Sequence, residues 1–321
     1  MNGSFDRDLR RAFGEDEVHR DISLAPFTTF RTGGPADWLV ELHGAAALSR
    51  ALALARDAGI PITILGGGSN ILVADAGVRG LVVRMRGGDV TAVDASGVRA
   101  DAGVTINGLV RWTIIRGISG LEAWAGTPGT VGGAIYGNAH FQGRLIGELV
   151  ERVTLVASDG RTMDVPGAEM EFAYDYSRLH RTKEIVAAAE FRTGRGEPSA
   201  LRSVARASLA FRKRTQPLES ASAGCIFQNP HPFRDSIPDG IPASAGALVD
   251  RAGFKGARVG QAMVSHTHAN FIVNLGGASA RDIRDLIDRC KRGVREQFGV
   301  ELREEIVCLG FGGAGVEHAV T

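Results

Sequence analysis

Pro61-Ile62-Thr63-Ile64-Leu65-Gly66-Gly67-Gly68-Ser69-Asn70 is the stretch on which the fold turns. Residues 61–65 form a short apolar, β-rich run that reads as a strand, and three glycines follow it directly, so the chain bends sharply at a carboxyl strand end, where ligands favour α/β units. With no side chains in the way, backbone N–H groups at 66–68 can approach an anionic phosphate, and Ser69 and Asn70 can add donors. The pattern is not GxGxxG, because Ile71 holds the final glycine position, and no Gly-Lys-Ser/Thr follows to make a Walker loop. A plain tight turn would use the same residues.

Upstream of this loop, residues 36–42 read as a strand and 45–56 as a helix with Leu48, Ala51, Leu52 and Ala55 on one face, which gives a βαβ-like unit. Downstream, 81–101 holds short β-rich stretches split by Gly87-Gly88 and Ser96-Gly97, and 105–116 reads as a capped amphipathic helix. A second glycine loop follows, Gly126-Thr127-Pro128-Gly129-Thr130-Val131-Gly132-Gly133-Ala134. Close packing alone would also select glycine there, but two separate cradles suit a ligand with two phosphates. A hairpin over 150–165, turned by Asp159-Gly160, and a strand over 184–191 complete a second α+β unit. After a polar connection at 193–199 comes a helix over 200–214. A third unit holds a candidate strand at 224–229, a helix over 243–252, strands near Val259, Met263 and Phe271, and a helix over 280–298. A last strand, 301–309, leads into a tail containing Gly312-Gly313.

Composition narrows the function. The 321 residues carry 37 basic and 36 acidic groups, a formal charge of +1, without the field of a nucleic-acid binder. Lysine occurs only at Lys183, Lys213, Lys255 and Lys291, so most positive charge is arginine, suited to bidentate capture of phosphate or carboxylate. Cys225, Cys290 and Cys308 have neither CxxC nor zinc-finger spacing, and an odd number cannot close a disulfide framework, which fits a reducing compartment. No signal-like or bilayer-length apolar run is present, so we expect a soluble cytoplasmic protein with no membrane insertion and no nucleic-acid partner. The sequence leaves the oligomeric state open.

Three further motifs carry possible chemistry. Gly224-Cys225-Ile226-Phe227-Gln228-Asn229-Pro230 puts Cys225, Phe227 and Asn229 on one face of an extended stretch. A thiol that holds its proton near neutral pH can release it to a basic carbanion, although a lone cysteine is more often an inert core residue. Glu301, Glu304 and Glu305 crowd the last strand, where solvated acids are the ordinary case. His266-Thr267-His268 has no evident third ligand nearby, so no metal is expected. Tyr174-Asp175-Tyr176-Ser177-Arg178 is uninformative on spacing alone.

Taken in order, these motifs resemble the UDP-N-acetylenolpyruvoylglucosamine reductase family over roughly Leu24 to Gly310. The resemblance rests on Ala25-Pro26-Phe27-Thr28-Thr29-Phe30-Arg31-Thr32-Gly33-Gly34-Pro35-Ala36, both glycine loops, Arg214-Thr215-Gln216-Pro217, Ser222-Ala223-Gly224-Cys225-Ile226-Phe227 and His268-Ala269-Asn270-Phe271-Ile272-Val273-Asn274. The short segment between Tyr174 and Arg214 is similar to the second, shorter branch of that family. It implies an α+β, three-domain flavoprotein, in which two α+β domains form an FAD-binding unit of the vanillyl-alcohol-oxidase type and an α+β domain takes the substrate. Residues 1–85 and 86–214 would be the two FAD-binding subdomains, the second with the return of 300–310, followed by a substrate domain over 215–299 and a tail over 311–321.

The resemblance further implies bound FAD, NADPH as co-substrate and a UDP-sugar enolpyruvyl ether as the molecule reduced. FAD contacts are expected at Arg31, Gly33, Gly66, Gly67, Gly68, Ser69, Asn70, Gly126, Thr127, Pro128, Gly129, Gly132 and Asn138, and substrate contacts at Tyr174, Gln228 and Asn229. The proton donor maps to Cys225, where many relatives have serine, and the glutamate that acts on the substrate carboxylate maps to Glu305. The family pattern Tyr-Arg-x-Ser is broken, since Asp175 follows Tyr174; Arg178 is therefore expected to supply the catalytic guanidinium. Two other readings use the same features: an FAD-dependent oxidase or dehydrogenase of a hydroxy acid or sugar, and a catalytically silent nucleotide-binding protein.

Overall fold

Apolar burial sorts the chain into a large core running through the first two units, a second core in the last third that also takes in Phe30 and Leu72, and a small one where the first glycine loop meets the end of the chain. The computed structural model describes residues 2–312 apart from 95 and 233. Residues 313–321 of the expected tail lie outside the described residues.

In the first sheet, Pro35–Leu42 pairs antiparallel with Val18–Ser23 and parallel with Val78–Met85, which carries Ile62–Leu65 on its other edge. The anticipated strand, helix, strand unit is present, but Val78–Met85 lies between its two strands. Helix Ala45–Ala58 buries Leu48, Ala51, Leu52 and Ala55, the face read from its period, and ends at Gly59 in the left-handed region. Helix Asn2–Phe13 and strand Val18–Ser23 were not anticipated. Phe5 and Leu9, four residues apart and buried, are the anchors that hold this arginine-rich helix to the core.

The second sheet is antiparallel, ordered Thr162–Pro166, Val150–Val156, Ile185–Arg192, Gly97–Asp101 and Val90–Ala92. The third holds three short strands, Arg258–Val259, Ala262–Val264 and Ile272–Asn274. Helix Ala280–Phe298 packs on it and begins with a reciprocal capping box between Ser279 and Asp282.

Two expectations change. Residues 224–229 are not a strand: Gly224 is left-handed at φ 80°, and the segment is held instead by an isolated bridge between Phe227 and Glu304. Of the expected strand over 301–309 only Val307–Leu309 is extended, and it pairs parallel with Ile71–Val73. The returning segment thus joins the first unit, directly after the first glycine loop, and not the second.

Candidate active site

The two glycine loops touch. A Cβ on Gly67 would lie 2.7 Å from the Gly129 Cα, and one on Gly129 would lie 2.7 Å from the Ser69 Oγ, so the loops approach backbone to backbone as only glycine permits. Each loop is anchored from behind. Gly68 O accepts from Thr29 N at 2.9 Å, while Gly129 O accepts from Ile106 N at 3.1 Å and Thr127 O from Asn107 Nδ2 at 3.1 Å. The loops border a cleft of about 990 Å³, near the upper end of the roughly 300–1,000 Å³ typical of small-molecule sites.

The opposite wall comes from the last third of the chain. Asn70 Nδ2 donates to Glu305 O at 3.1 Å, Val307 N donates to Asn70 O at 2.9 Å, and Glu305 N donates to Ile226 O at 2.8 Å. Buried Asn270 holds Phe227 by both backbone atoms, accepting from its N at 2.9 Å and donating to its O at 2.8 Å. These bonds run from the first glycine loop through residue 305 to the Cys225 segment. Cys225 and Glu305 accordingly face the same cleft as the glycine loops, each partly open to it.

Burial dominates the electrostatics. It pushes the Cys225 thiol well above its ordinary range, and the Glu305 and Asp175 carboxyls push it further. Glu305 is likewise raised well above a usual carboxyl group, first by burial and then by the charge of Asp175. Burial thus favours the protonated form of both groups, most strongly for the Cys225 thiol. Arg212 supplies a cation: burial lowers it to about 10, still far enough above neutrality to stay charged. Its Nη2 donates to Thr127 Oγ1 at 2.7 Å, its guanidinium sits 3.9 Å from the centre of the Phe141 ring, and its Nε has no hydrogen-bond partner. Arg212 was missed in the sequence. The available signal was its place at the end of the buried series Leu201, Ala205, Ser208 and Arg212, a charge on the inward stripe of a helix.

The expected residues divide. Arg31, Gly67, Ser69, Asn70, Gly126, Thr127, Pro128 and Gly129 line the cleft, as does Asn229. Gly33, Gly66, Gly68, Gly132 and Asn138 do not. A Cβ on Gly33 would meet Val73 at 2.9 Å, and one on Gly68 would lie 2.0 Å from Phe27 O, so these glycines serve close packing behind the wall. Asn138 is fully buried, donating from Nδ2 to Ala173 O at 2.7 Å and accepting from Gly147 N at 2.9 Å. Gln228 is also off the wall, whereas the Tyr174 hydroxyl reaches Asn229 at 3.4 Å. Arg178 is not brought to the cleft. Its guanidinium is held by Glu184 through contacts of 2.8 to 3.0 Å, because the chain enters the short helix Leu179–Thr182 immediately after it. Asp175 instead turns to His140, with Nδ1 and Oδ1 3.0 Å apart. Among the described residues, no helix is long and apolar enough to cross a membrane.

Comparison with known proteins agrees with this geometry. Residues 36–166 match the family model described as an FAD binding domain, and residues 216–309 match UDP-N-acetylenolpyruvoylglucosamine reductase, C-terminal domain. The chain is similar to UDP-N-acetylenolpyruvoylglucosamine reductase 2 of Symbiobacterium thermophilum, 41% identical over 91% of this chain and 92% of that one. It is 40% identical to the reductase of Moorella thermoacetica, over 92% and 94% of the two chains. The crystal structure of UDP-N-acetylenolpyruvylglucosamine reductase from Thermus caldophilus superposes with a TM-score of 0.75 at 34% identity, covering 91% of this chain and 98% of that one.

Proposed function

The chain belongs to the UDP-N-acetylenolpyruvoylglucosamine reductase family, and from that premise we propose which of its residues carry the reaction. The activity is the NADPH-dependent, FAD-mediated reduction of UDP-N-acetylglucosamine enolpyruvate to UDP-N-acetylmuramate, a step of peptidoglycan precursor synthesis. The observation that carries the assignment of residues is the contact of Gly67 with Gly129 on the cleft that also holds Cys225 and Glu305. A Cβ-free cradle of this kind suits the pyrophosphate of a dinucleotide, and Ser69, Asn70, Arg31 and Thr127 are the side chains placed to hold it. FAD held there would supply the redox chemistry, a two-electron transfer from NADPH to the alkene of the substrate.

Cys225 acts at the carbon next to the one that is reduced. Its buried thiol retains a proton until a strongly basic carbon develops beside it, then transfers that proton from Sγ. Glu305 donates a hydrogen bond to the substrate carboxylate, where negative charge grows as the alkene is reduced. Asn270 positions the Cys225 segment by clamping Phe227. Tyr174 and Asn229, joined through the Tyr174 hydroxyl, bind the UDP-sugar. The match over 216–309 covers both Cys225 and Glu305, which favours the enolpyruvyl substrate over a hydroxy acid or a free sugar.

The test is the visible spectrum of the purified protein in sequence: yellow as isolated, bleached by NADPH without oxygen, yellow again on adding the enolpyruvyl UDP-sugar. Reoxidation no faster than in buffer would reject the substrate assignment.

A further inference from the structure

His140, Asp175 and Glu305 come from distant parts of the chain and converge on one wall of the cleft. One nitrogen or oxygen from each lies within 4.8 Å of the other two. Within the set, His140 Nδ1 and Asp175 Oδ1 are 3.0 Å apart. Two atoms bound side by side to one ion at about 2.1 Å are roughly 3.0 to 3.4 Å apart, so this pair already has the spacing of neighbouring ligands. A closure of at most about 1.4 to 1.8 Å from the 4.8 Å limit would bring the third atom in.

The Asp175 side chain is only 9% exposed, and its Oδ2 has no hydrogen-bond partner. An ordinary hydrogen-bonded histidine and aspartate pair explains Oδ1 but leaves this buried oxygen bare, beside a second carboxyl group. The other groups around it do not answer the need: Arg212 is turned to Thr127 and Phe141, the Tyr174 ring lies against His140 with centroids 4.9 Å apart, and Cys225 offers a thiol.

We infer that His140, Asp175 and Glu305 form a divalent-cation site in the cleft. One imidazole nitrogen with two carboxylate oxygens suits the Mn²⁺ and Zn²⁺ class better than Ca²⁺ or Mg²⁺, which favour all-oxygen shells. With the cation bound, Glu305 gives up its proton and ligates through an oxygen, and the cation replaces its hydrogen bond as the partner of a carboxylate group in the cleft. That this group is the substrate's rests on the reductase reading above; cation binding itself does not.

The flavin-loaded protein, dialysed against a chelator and then against buffer, is titrated with Mn²⁺, and free Mn²⁺ is read from its paramagnetic resonance signal. We expect saturable uptake of one ion per chain, weakened at least tenfold in His140→Ala and again in Asp175→Asn, with His266→Ala, exposed and outside the group, binding like the parent. Retained flavin absorbance certifies that each variant is folded. Uptake that does not saturate, or unchanged affinity in both cleft variants, overturns the site. The spectral cycle with NADPH and the UDP-sugar is run separately on untreated protein, so loss of that cycle with Mn²⁺ uptake intact rejects the substrate and keeps the cation.

Discussion

Replacing Gly67 with alanine tests the cradle at its narrowest point. The new Cβ would lie 2.7 Å from the Gly129 Cα and 3.3 and 3.4 Å from its C and N. Carbon atoms prefer about 3.5–4.0 Å, so the loops must part by roughly 0.8 to 1.3 Å. Both sides of the contact are backbone, and no rotamer change can relieve it. Overpacking of this order costs about 1–3 kcal/mol, and if the loops grip FAD only in their present spacing, that cost weakens flavin affinity roughly 5- to 150-fold. The assay is FAD release on dialysis, followed by the recovery of free-flavin fluorescence and by titrating the stripped protein with FAD. Gly3→Ala, whose Cβ meets nothing within 4 Å, should retain flavin like the parent. Undiminished FAD affinity in Gly67→Ala would refute the placement of the dinucleotide between the loops.

Cys225→Ala should still be bleached by NADPH, while its reoxidation by the UDP-sugar slows about a hundredfold or more, the contribution expected of a general acid; normal reoxidation in stopped flow would remove Cys225 from the chemistry. Arg178→Ala strips Glu184 of its bidentate partner and should lower stability by about 1–3 kcal/mol in urea unfolding. Its substrate-driven reoxidation should persist, and a loss of that step in folded protein would return Arg178 to the site. Glu41 is pushed up by burial, but hydrogen bonds from Arg86 and Arg84 outweigh this and hold it below its ordinary 4.5. A carboxyl group lowered in the folded state stabilises above its unfolded value and loses that contribution as pH falls through the folded one. The stability gap between the parent and Glu41→Gln should therefore narrow as the pH drops below about 4.5, measured by thermal melts in a pH series; a constant gap would rule the ion pair out as its source.

Much of the framework is legible in the sequence because apolar period and turn residues act locally. The helices Ala45–Ala58 and Ala280–Phe298 bury the stripes their spacing sets, and Thr105 caps its helix through its own side chain. Both glycine loops could be read as cradles for the same reason, but not which of their residues face the cleft: Gly67 does, while Gly68 is claimed by Phe27. Local rules fail where partners are remote. The Cys225 segment looks like a strand, yet its geometry is set by Asn270 and Glu304. Along the chain Asp175 reads as a lost arginine with Arg178 as its nearest replacement, because nothing near residue 175 announces His140. Asp175 itself adopts φ 51°, an uncommon conformation for a non-glycine residue that spacing along the chain does not reveal.

The parallel pairing of Val307–Leu309 with Ile71–Val73 has a consequence for biosynthesis. The bond from Asn70 to Glu305 spans 235 residues, so a ribosome has both glycine-rich turns outside its tunnel long before it has translated their supporting strand. Retention of the vitamin-derived cofactor is then a property of the finished polypeptide, and a nonsense codon shortly before position 305 yields a colourless product despite leaving every predicted phosphate contact encoded.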